Sequence, residues 1–488
     1  MKKSLLFLAF LSIGHAVFSQ VISGKILDTN QNPIPYVTLQ IGPNYGVITN
    51  EEGVYTLKTH NFSDSDTVSI SCLGYKSLEY PLSDFTNPTY TLEESISELS
   101  EVFLTNKQLS IEEILTKIRE NISSNYNTDG KQRVFIRESS NFNIMDFDFE
   151  VAKSSNFNRS TIKDINRNFE LMSQQMVNSK SKYFEDTLLD LLHVADSTQS
   201  HIIKATKLVN IDKDLSTDAV NGKLIKGVLN VLDSTATYKL KTGLFTVEDS
   251  LKVGKILKEE SDLKKGKTTV MNNKAARIIR NNSLVENSKL DFIFDDKGYE
   301  YTIDGISYLN DEAVYNISFN PTRKSAKYTG QMYVNTSDFA VVKLAYQFAK
   351  NRKGKKLNLK FIAGFKFEEN AYRSTVIFKK NDNAIYDLYF ISQENGNYVY
   401  IDRSLKFIRN NTAAHTDKQQ LKIKFMIEQD YKAKSELFFL DKANLKPDAD
   451  FQITEEYPIS YISEYDPSIW KDYSVLSPVQ AIIDYKTN

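Results

Sequence analysis

Between about Leu290 and Ile427 apolar and polar residues alternate with a period of two, and no other feature constrains the fold of this chain as strongly. Ala313, Tyr315, Ile317 and Phe319 fall on one side; Val342, Leu344, Tyr346 and Phe348 do so next, then Leu357, Leu359, Phe361, Phe365 and Phe367. Asn316, Ser318, Lys343, Gln347, Asn358, Lys360 and Lys366 take the opposite side. Side chains of a strand point alternately to its two faces, so the spacing predicts strands with one dry side. Strands this close in sequence are most simply antiparallel neighbours. Twist curves so many strands, which allows a half-barrel whose concave side is filled by helices from residues 160 to 195 or by a ligand. The 27 tyrosines and 29 phenylalanines accord with sheets rather than bundles.

The amino end predicts export. Met1-Lys2-Lys3 runs into the apolar stretch Leu5 to Ile13, and small residues lead to Val17-Phe18-Ser19. That is the layout of a signal peptide over residues 1–19, cleaved after Ser19. The apolar run is too short to cross a hydrocarbon layer of roughly 30 Å. A lipid anchor would need a cysteine just beyond it, and the single cysteine is Cys72, so no anchor is expected. No later segment reaches about 18 apolar residues, so no transmembrane helix is expected. Of 61 basic and 62 acidic residues, loss of Lys2 and Lys3 leaves a net charge of about −3. Such near-neutrality gives no reason to invoke nucleic acid or an anionic membrane surface. One cysteine forms no internal disulfide, so stability rests on packing.

Residues 20–104 read as short strands separated by turn chemistry. Val37, Leu39 and Ile41 alternate with Thr38 and Gln40, and Val68, Ile70 and Cys72 repeat the period. Pro33 and Pro35 suit the start of an edge strand, since proline cannot donate to a ladder. Asn50-Glu51-Glu52-Gly53 supplies a turn, with Tyr55 and Leu57 beyond it. Strands and turns at this spacing predict a β-sandwich.

Four segments in order, Ile22-Ser23-Gly24-Lys25-Ile26-Leu27-Asp28, Pro33-Ile34-Pro35-Tyr36-Val37-Thr38-Leu39, Gly46 through Leu57, and Ser71-Cys72-Leu73-Gly74-Tyr75-Lys76, resemble the carboxypeptidase regulatory-like family. The resemblance implies a transthyretin-like sandwich, often found at the amino end of envelope proteins. The family is named for an accessory domain, and the resemblance carries over no catalytic residue. Leu99-Ser100-Glu101-Val102-Phe103-Leu104-Thr105 resembles the segment that follows this domain in TonB-dependent transporters, without the plug and barrel expected there. Tyr328 to Thr336, with Phe339-Ala340-Val341-Val342, is similar to the half-barrels of lipoprotein carriers.

Residues 105–130 form a linker carrying an amphipathic helix. Ser110-Ile111-Glu112-Glu113 is a capping box, and Ile111, Ile114, Leu115, Ile118 and Ile122 keep helical spacing. A mixed α/β segment, 131–289, follows. It opens with strands in which Phe142, Ile144 and Phe147 point inward, continues with a helical stripe of Ile162, Ile165, Phe169, Met172 and Met176, and has a second helix at Leu188, Leu189, Leu191 and Leu192. Tyr238 to Phe245 suggests a strand; Lys264-Lys265-Gly266-Lys267 with Asn272-Asn273 reads as a solvated loop. The antiparallel sheet occupies 290–430 and an aromatic-rich tail 431–488. The fold class is mainly β with some α: an amino-terminal sandwich, then a larger antiparallel sheet with packed helices.

Nothing in this inventory forms a catalytic or metal constellation, so no catalytic, cofactor or metal residue is assigned. His60, His193, His201 and His415 stand apart from one another and from the lone Cys72. Cys72, beside Ile70, reads as a small buried hydrophobe. Glu248-Asp249, Asp295-Asp296 and Asp311-Glu312 are adjacent acids, and adjacent strand residues face opposite ways, which does not suit an acid and base pair. Asp295-Asp296-Lys297-Gly298 reads as a hairpin turn between Phe292, Phe294 and Tyr299, Tyr301. Tyr457, Tyr461, Tyr465, Trp470 and Tyr473 are read as pinning the tail onto a sheet, with recognition of a sugar or partner as the alternative. The expectation is an exported, non-enzymatic binding or scaffold protein of the periplasm, outer membrane or cell surface, its partner an envelope protein or an apolar or glycan ligand. An integral outer-membrane barrel and an envelope hydrolase are the competing readings.

Overall fold

The computed structural model describes residues 21–42, 45–97, 109–127, 129–177, 180–194, 197–209, 229, 232–243, 245–255, 265–284, 289–411, 419–440 and 454–486. The expected signal peptide, the Leu99 to Thr105 segment and His415 lie outside the described residues. The chain divides into two compact units, the first drawn from the stretch up to Ile96 together with 308–311 and 467–481, the second from the remainder.

In the first unit β1 (Val21–Asp28) lies between β4 (Val54–Lys58) and β7 (Thr89–Leu92), while β2 (Thr38–Ile41), β3 (Tyr45–Ile48), β5 (Thr67–Ser71) and β6 (Leu78–Pro81) form a second sheet in the order β3-β2-β5-β6. The alternating residues Val37, Leu39, Ile41, Val68 and Ile70 are almost fully buried and share one cluster with Ile26, Tyr55, Leu57 and Leu92 of the other sheet. Two sheets around one dry layer make the expected sandwich, with Cys72 inside it. The Asn50 turn forms because its Oδ1 accepts the N–H groups of Glu52 and Val54, both at 2.9 Å. Gly53 closes the turn at φ 71°, and a Cβ there would come within 2.6 Å of the Ile26 carbonyl. The tail docks as read: Trp470 is buried, and the Lys58 Nζ donates to the carbonyls of Trp470 (2.9 Å), Lys471 (2.6 Å) and Tyr473. Burial pushes the Lys58 ammonium down to about 8.

After the two-residue strand β8 (Ile96–Ser97), the second unit opens with helix α1 (Ile111–Asn125). Its capping box is formed: the Glu113 N–H donates to Ser110 Oγ at 3.2 Å, and the Ser110 N–H to Glu113 Oε2 at 2.7 Å. Then come β9 (Gly130–Ser154), α2 (Arg159–Val177), β10 (Lys180–Val194), β11 (Ser197–Leu208), β12 (Thr237–Thr242), β13 (Phe245–Lys252), β14 (Lys265–Lys267), α3 (Thr268–Asn282) and α4 (Asp291–Phe294). The carboxyl half holds β15 (Tyr299–Leu309), β16 (Glu312–Pro321), β17 (Tyr328–Asn335), β18 (Val341–Phe348), β19 (Lys356–Leu359), α5 (Lys360–Ala363), β20 (Phe365–Lys380), β21 (Tyr386–Arg409), β22 (Gln420–Leu440), β23 (Glu456–Pro458) and β24 (Ser460–Ile462). One large sheet takes the order β24-β11-β10-β9-β22-β21-β20-β18-β17-β16-β15, with β12 paired to the end of β21, β19 to the start of β20 and β13 to β12. From β11 through to β16 its pairings are antiparallel, and the short β11–β24 contact is parallel.

Four elements differ from these expectations. The segments 131–289 and 290–430 share one sheet: β9 pairs with β22 from Ser154↔Leu421 to Arg133↔Leu440, so early strands complete the late sheet and the sheet passes residue 430. Periodicity is local and carries no trace of a partner so distant in sequence. Leu188, Leu189 and Leu191 are buried in strand β10, not in a helix. A central strand dry on both faces reads as a continuous apolar run, which helix and strand share. The predicted loop around Asn272-Asn273 is helix α3, whose stripe of Met271, Ala275, Ile278, Ile279 and Asn282 is buried.

The predicted hairpin at Asp295 is likewise a helical turn, α4, followed by a 3-10 turn over Asp296–Gly298. That winding puts Phe292 against Phe319 in a stack with 4.1 Å between ring centres, with Tyr346 at 5.1 Å.

Two apolar clusters serve the large sheet. Over its β16–β18 portion α4 covers the dry face, while α3 crosses β11 and β9 and ends beside β18 and β20 in a polar network. Asn282 Nδ2 donates to the carbonyl of Ile278 (2.8 Å) and to Gln393 Oε1 (3.1 Å), while its Oδ1 accepts from Tyr346 (3.0 Å) and Ser374 (2.6 Å). At the other end of the long strands α2 lies on β9, where Phe147, Phe149, Val151, Phe407, Leu421 and Ile423 form a second cluster with Met176 and Tyr238. Phe142, Ile144 and Phe147 point inward as expected.

Candidate functional site

The residues that carry most chemistry in the sequence are not brought together. His193 sits in β10 with its Nδ1 2.7 Å from Thr198 Oγ1. His201 stands opposite Asp190 in the ladder, and Asp190 holds Arg133 at 2.8 and 3.2 Å. His60 is exposed in the first unit. Among the described residues no group of three or more His, Cys, Asp or Glu side chains is placed to hold a metal. Asp249 pairs with Lys239 at 3.1 Å, and Asn310 and Asp311 are the two positive-φ residues of the β15–β16 turn.

The buried acids serve packing. Asp186 takes Arg137 in a two-pronged pair at 2.9 and 2.8 Å. Glu138 bonds Lys274 of α3, and burial pushes the neighbouring Glu185 carboxyl above its usual range. Glu369 holds Lys289 at 3.1 Å. Such pairs are retained because a lone buried charge would be costly.

On the polar face over β16–β18 and β20 lies a shallow open depression of about 390 Å³, walled by Ser318, Gln331, Gln347, Arg373 and Thr375. Beside it β17 and β18 meet closely at Gly330, where a Cβ would come 2.2 Å from the Ala345 carbonyl.

The most unusual surface is elsewhere, where β19, α5, β20 and β21 meet. Register assigns the face: Ile401 pairs with both Ile427 and Phe365, Phe365 with Leu359, and Phe367 with both Val399 and Leu357. All therefore share the face of the second cluster, to which Ile427 belongs. The cluster stops at Ile427 and Leu405; beyond it Ile401, Val399, Phe365 and Phe367 are only partly covered, and Leu357 and Leu359 are exposed. The run Leu357 to Phe367 was expected to lie against the core, but α2 does not reach across it. At the tip, Phe361 and Ile362 of α5 are 99% and 89% exposed.

Gly364 makes the tip. At φ 55° it returns the chain into β20, and the Asp402 N–H donates to its carbonyl at 2.7 Å. A Cβ at Gly364 would meet the Asp402 carbonyl oxygen at 2.1 Å. On the opposite face Lys360 lies 3.8 Å from the centre of the Tyr400 ring and Lys366 4.5 Å from that of Tyr398. The sequence signal for this site is the failed alternation at Phe361-Ile362, two adjacent apolar residues directly before Ala363-Gly364.

Residues 22–104 match the CarboxypepD_reg-like domain, so the first unit carries that domain. No curated protein matches the chain. A membrane-associated protein of unknown function from Bacteroides fragilis aligns over 86% of this chain and 98% of its own, at 8% identity and a TM-score of 0.12. The outer membrane protein OprG from Pseudomonas aeruginosa aligns over 65% of this chain and 99% of its own, at 7% identity and a TM-score of 0.13. Likeness at this level bears on neither fold nor function, and the region after the first domain is assigned to no family by these matches.

Proposed function

We propose that this is an exported, non-enzymatic cell-envelope protein in which a CarboxypepD_reg-like sandwich accompanies a large sheet that binds an apolar ligand or partner on its open face. The observation that carries the reading is the dry face running from Ile427 out to Leu357 and Leu359, over which no helix lies among the described residues. Apolar surface left uncovered in one contiguous strip marks an interaction site more often than a defect. Export is supported by the charged, apolar and small-residue order of residues 1–19. The non-enzymatic reading is supported by the use of the acids: Asp186, Asp190, Glu138 and Glu369 each hold an arginine or lysine.

Native mass spectrometry of the chain isolated from its own envelope tests the reading. A non-covalent adduct is expected, and it should be lost when Phe367 and Ile401 are replaced by aspartate in a variant that still melts cooperatively. A bare chain in every preparation overturns it.

A further inference from the structure

We infer that the tip formed by α5 docks on a lipid bilayer bearing anionic headgroups. The inference rests on the binding reading above and names its occupant.

The first ground is the exposure of Phe361 and Ile362, which stand almost free of the fold at the end of a turn. A protruding pair offers no concave shape for a protein knob to fill, whereas a bilayer requires only that apolar side chains sink past the headgroups. A second protrusion lies along the same edge of β21. Thr242 of β12 pairs with Leu405, three residues or roughly 10 Å from the Asp402 that anchors Gly364. In the hairpin that follows, Phe245 and Val247 are 74% and 58% exposed.

The second ground is charge. Residues 350–367 contain Lys350, Arg352, Lys353, Lys355, Lys356, Lys360 and Lys366 and no acidic residue, in a chain whose formal net charge is −1. Whole-chain neutrality therefore conceals a basic segment around the most exposed apolar pair. Lys353 is partly neutralised by Glu368 at 2.5 Å; of the two acids of β13, Asp249 is taken by Lys239 and Glu248 accepts the Ser250 N–H. Basic side chains at the level of anionic headgroups strengthen binding about fivefold each, and neither they nor one or two apolar side chains hold a protein on a membrane alone.

The test is co-sedimentation of the full chain with phosphatidylethanolamine vesicles carrying phosphatidylglycerol, against phosphatidylcholine vesicles. Binding to the anionic vesicles at least tenfold tighter, weakening as salt rises, is expected. Phe361→Asp with Ile362→Asp should reduce it about tenfold or more, and Lys355→Glu with Lys356→Glu should do the same, each with an unchanged melting temperature. Equal binding to both vesicle types, no binding, or binding untouched by these variants overturns the inference. If vesicle binding fails while the envelope adduct persists, only the lipid occupant is wrong; if both are absent, the binding reading falls with it.

Discussion

The two ends of the large sheet start from the same pattern and finish differently. Over β16–β18 the dry face is covered by α4 and closed by the end of α3: Phe292 is fully buried, and Asn282 ties that helix end to three strands. Over β19, the start of β20 and the middle of β21, equally apolar strands stay open, and α5 turns its two largest apolar side chains outward. Alternation defines a dry face but not its cover. The cover of a sheet is an element that must arrive from elsewhere in the chain, and where none arrives the surface remains available for binding.

The contrast breaks most sharply at the aromatic centres. Phe292→Ala should cost about 3–5 kcal/mol, because it empties a site ringed by Phe319, Tyr346, Tyr299 and Tyr328. Phe361→Ala should stay within about 0.5 kcal/mol of the parent. Urea unfolding of the two variants measures both, and a comparable loss at Phe361 would mean that the tip is packed. Asn282→Ala comes next, at about 2–3 kcal/mol, since Tyr346 and Ser374 lose a buried acceptor; a neutral result in the same assay would show that α3 is not held by its network.

The smallest effect is electrostatic. Burial raises the Asp291 carboxyl above its ordinary 3.8, with the Tyr299 hydroxyl bond at 2.8 Å opposing the shift. A raised acid binds protons more readily in the folded state, so its contribution is full below the unfolded value and is lost as pH climbs through the folded one. Asp291→Asn should therefore slightly raise the melting temperature at neutral pH and lose that advantage in acid. Parallel melting curves across the pH range would contradict it.

Much of this was legible in the residues. The sandwich strands, the Asn50 turn, the Ser110 capping box, the α2 stripe and the docking of Trp470 all follow from local chemistry, which short windows report. The roof over the sheet was less visible. Met271, Ala275, Ile278 and Ile279 do keep helical spacing, but the polar residues around them, Lys264 to Lys267 and Asn272-Asn273, resemble a loop. Tertiary burial of one stripe decided the matter. Strand β10 reads as a helix because Leu188 and Leu189 are both dry, and the union of β9 with β22 lies beyond any local signal. For the candidate site, alternation gives the shared face of Leu357, Leu359, Phe365 and Phe367 but not the turn that carries Phe361 off it, and whether that face meets a helix depends on where α2 ends.

Strand β9 is a single run of 25 residues, about 80 Å of contour at the usual rise. It serves the cores beneath both α3 and α2, and the ladder it shares with β22 has only local bulges. The packing under α2 and the packing under α3 therefore share one continuous antiparallel ladder, and a register slip in that ladder would displace both at once.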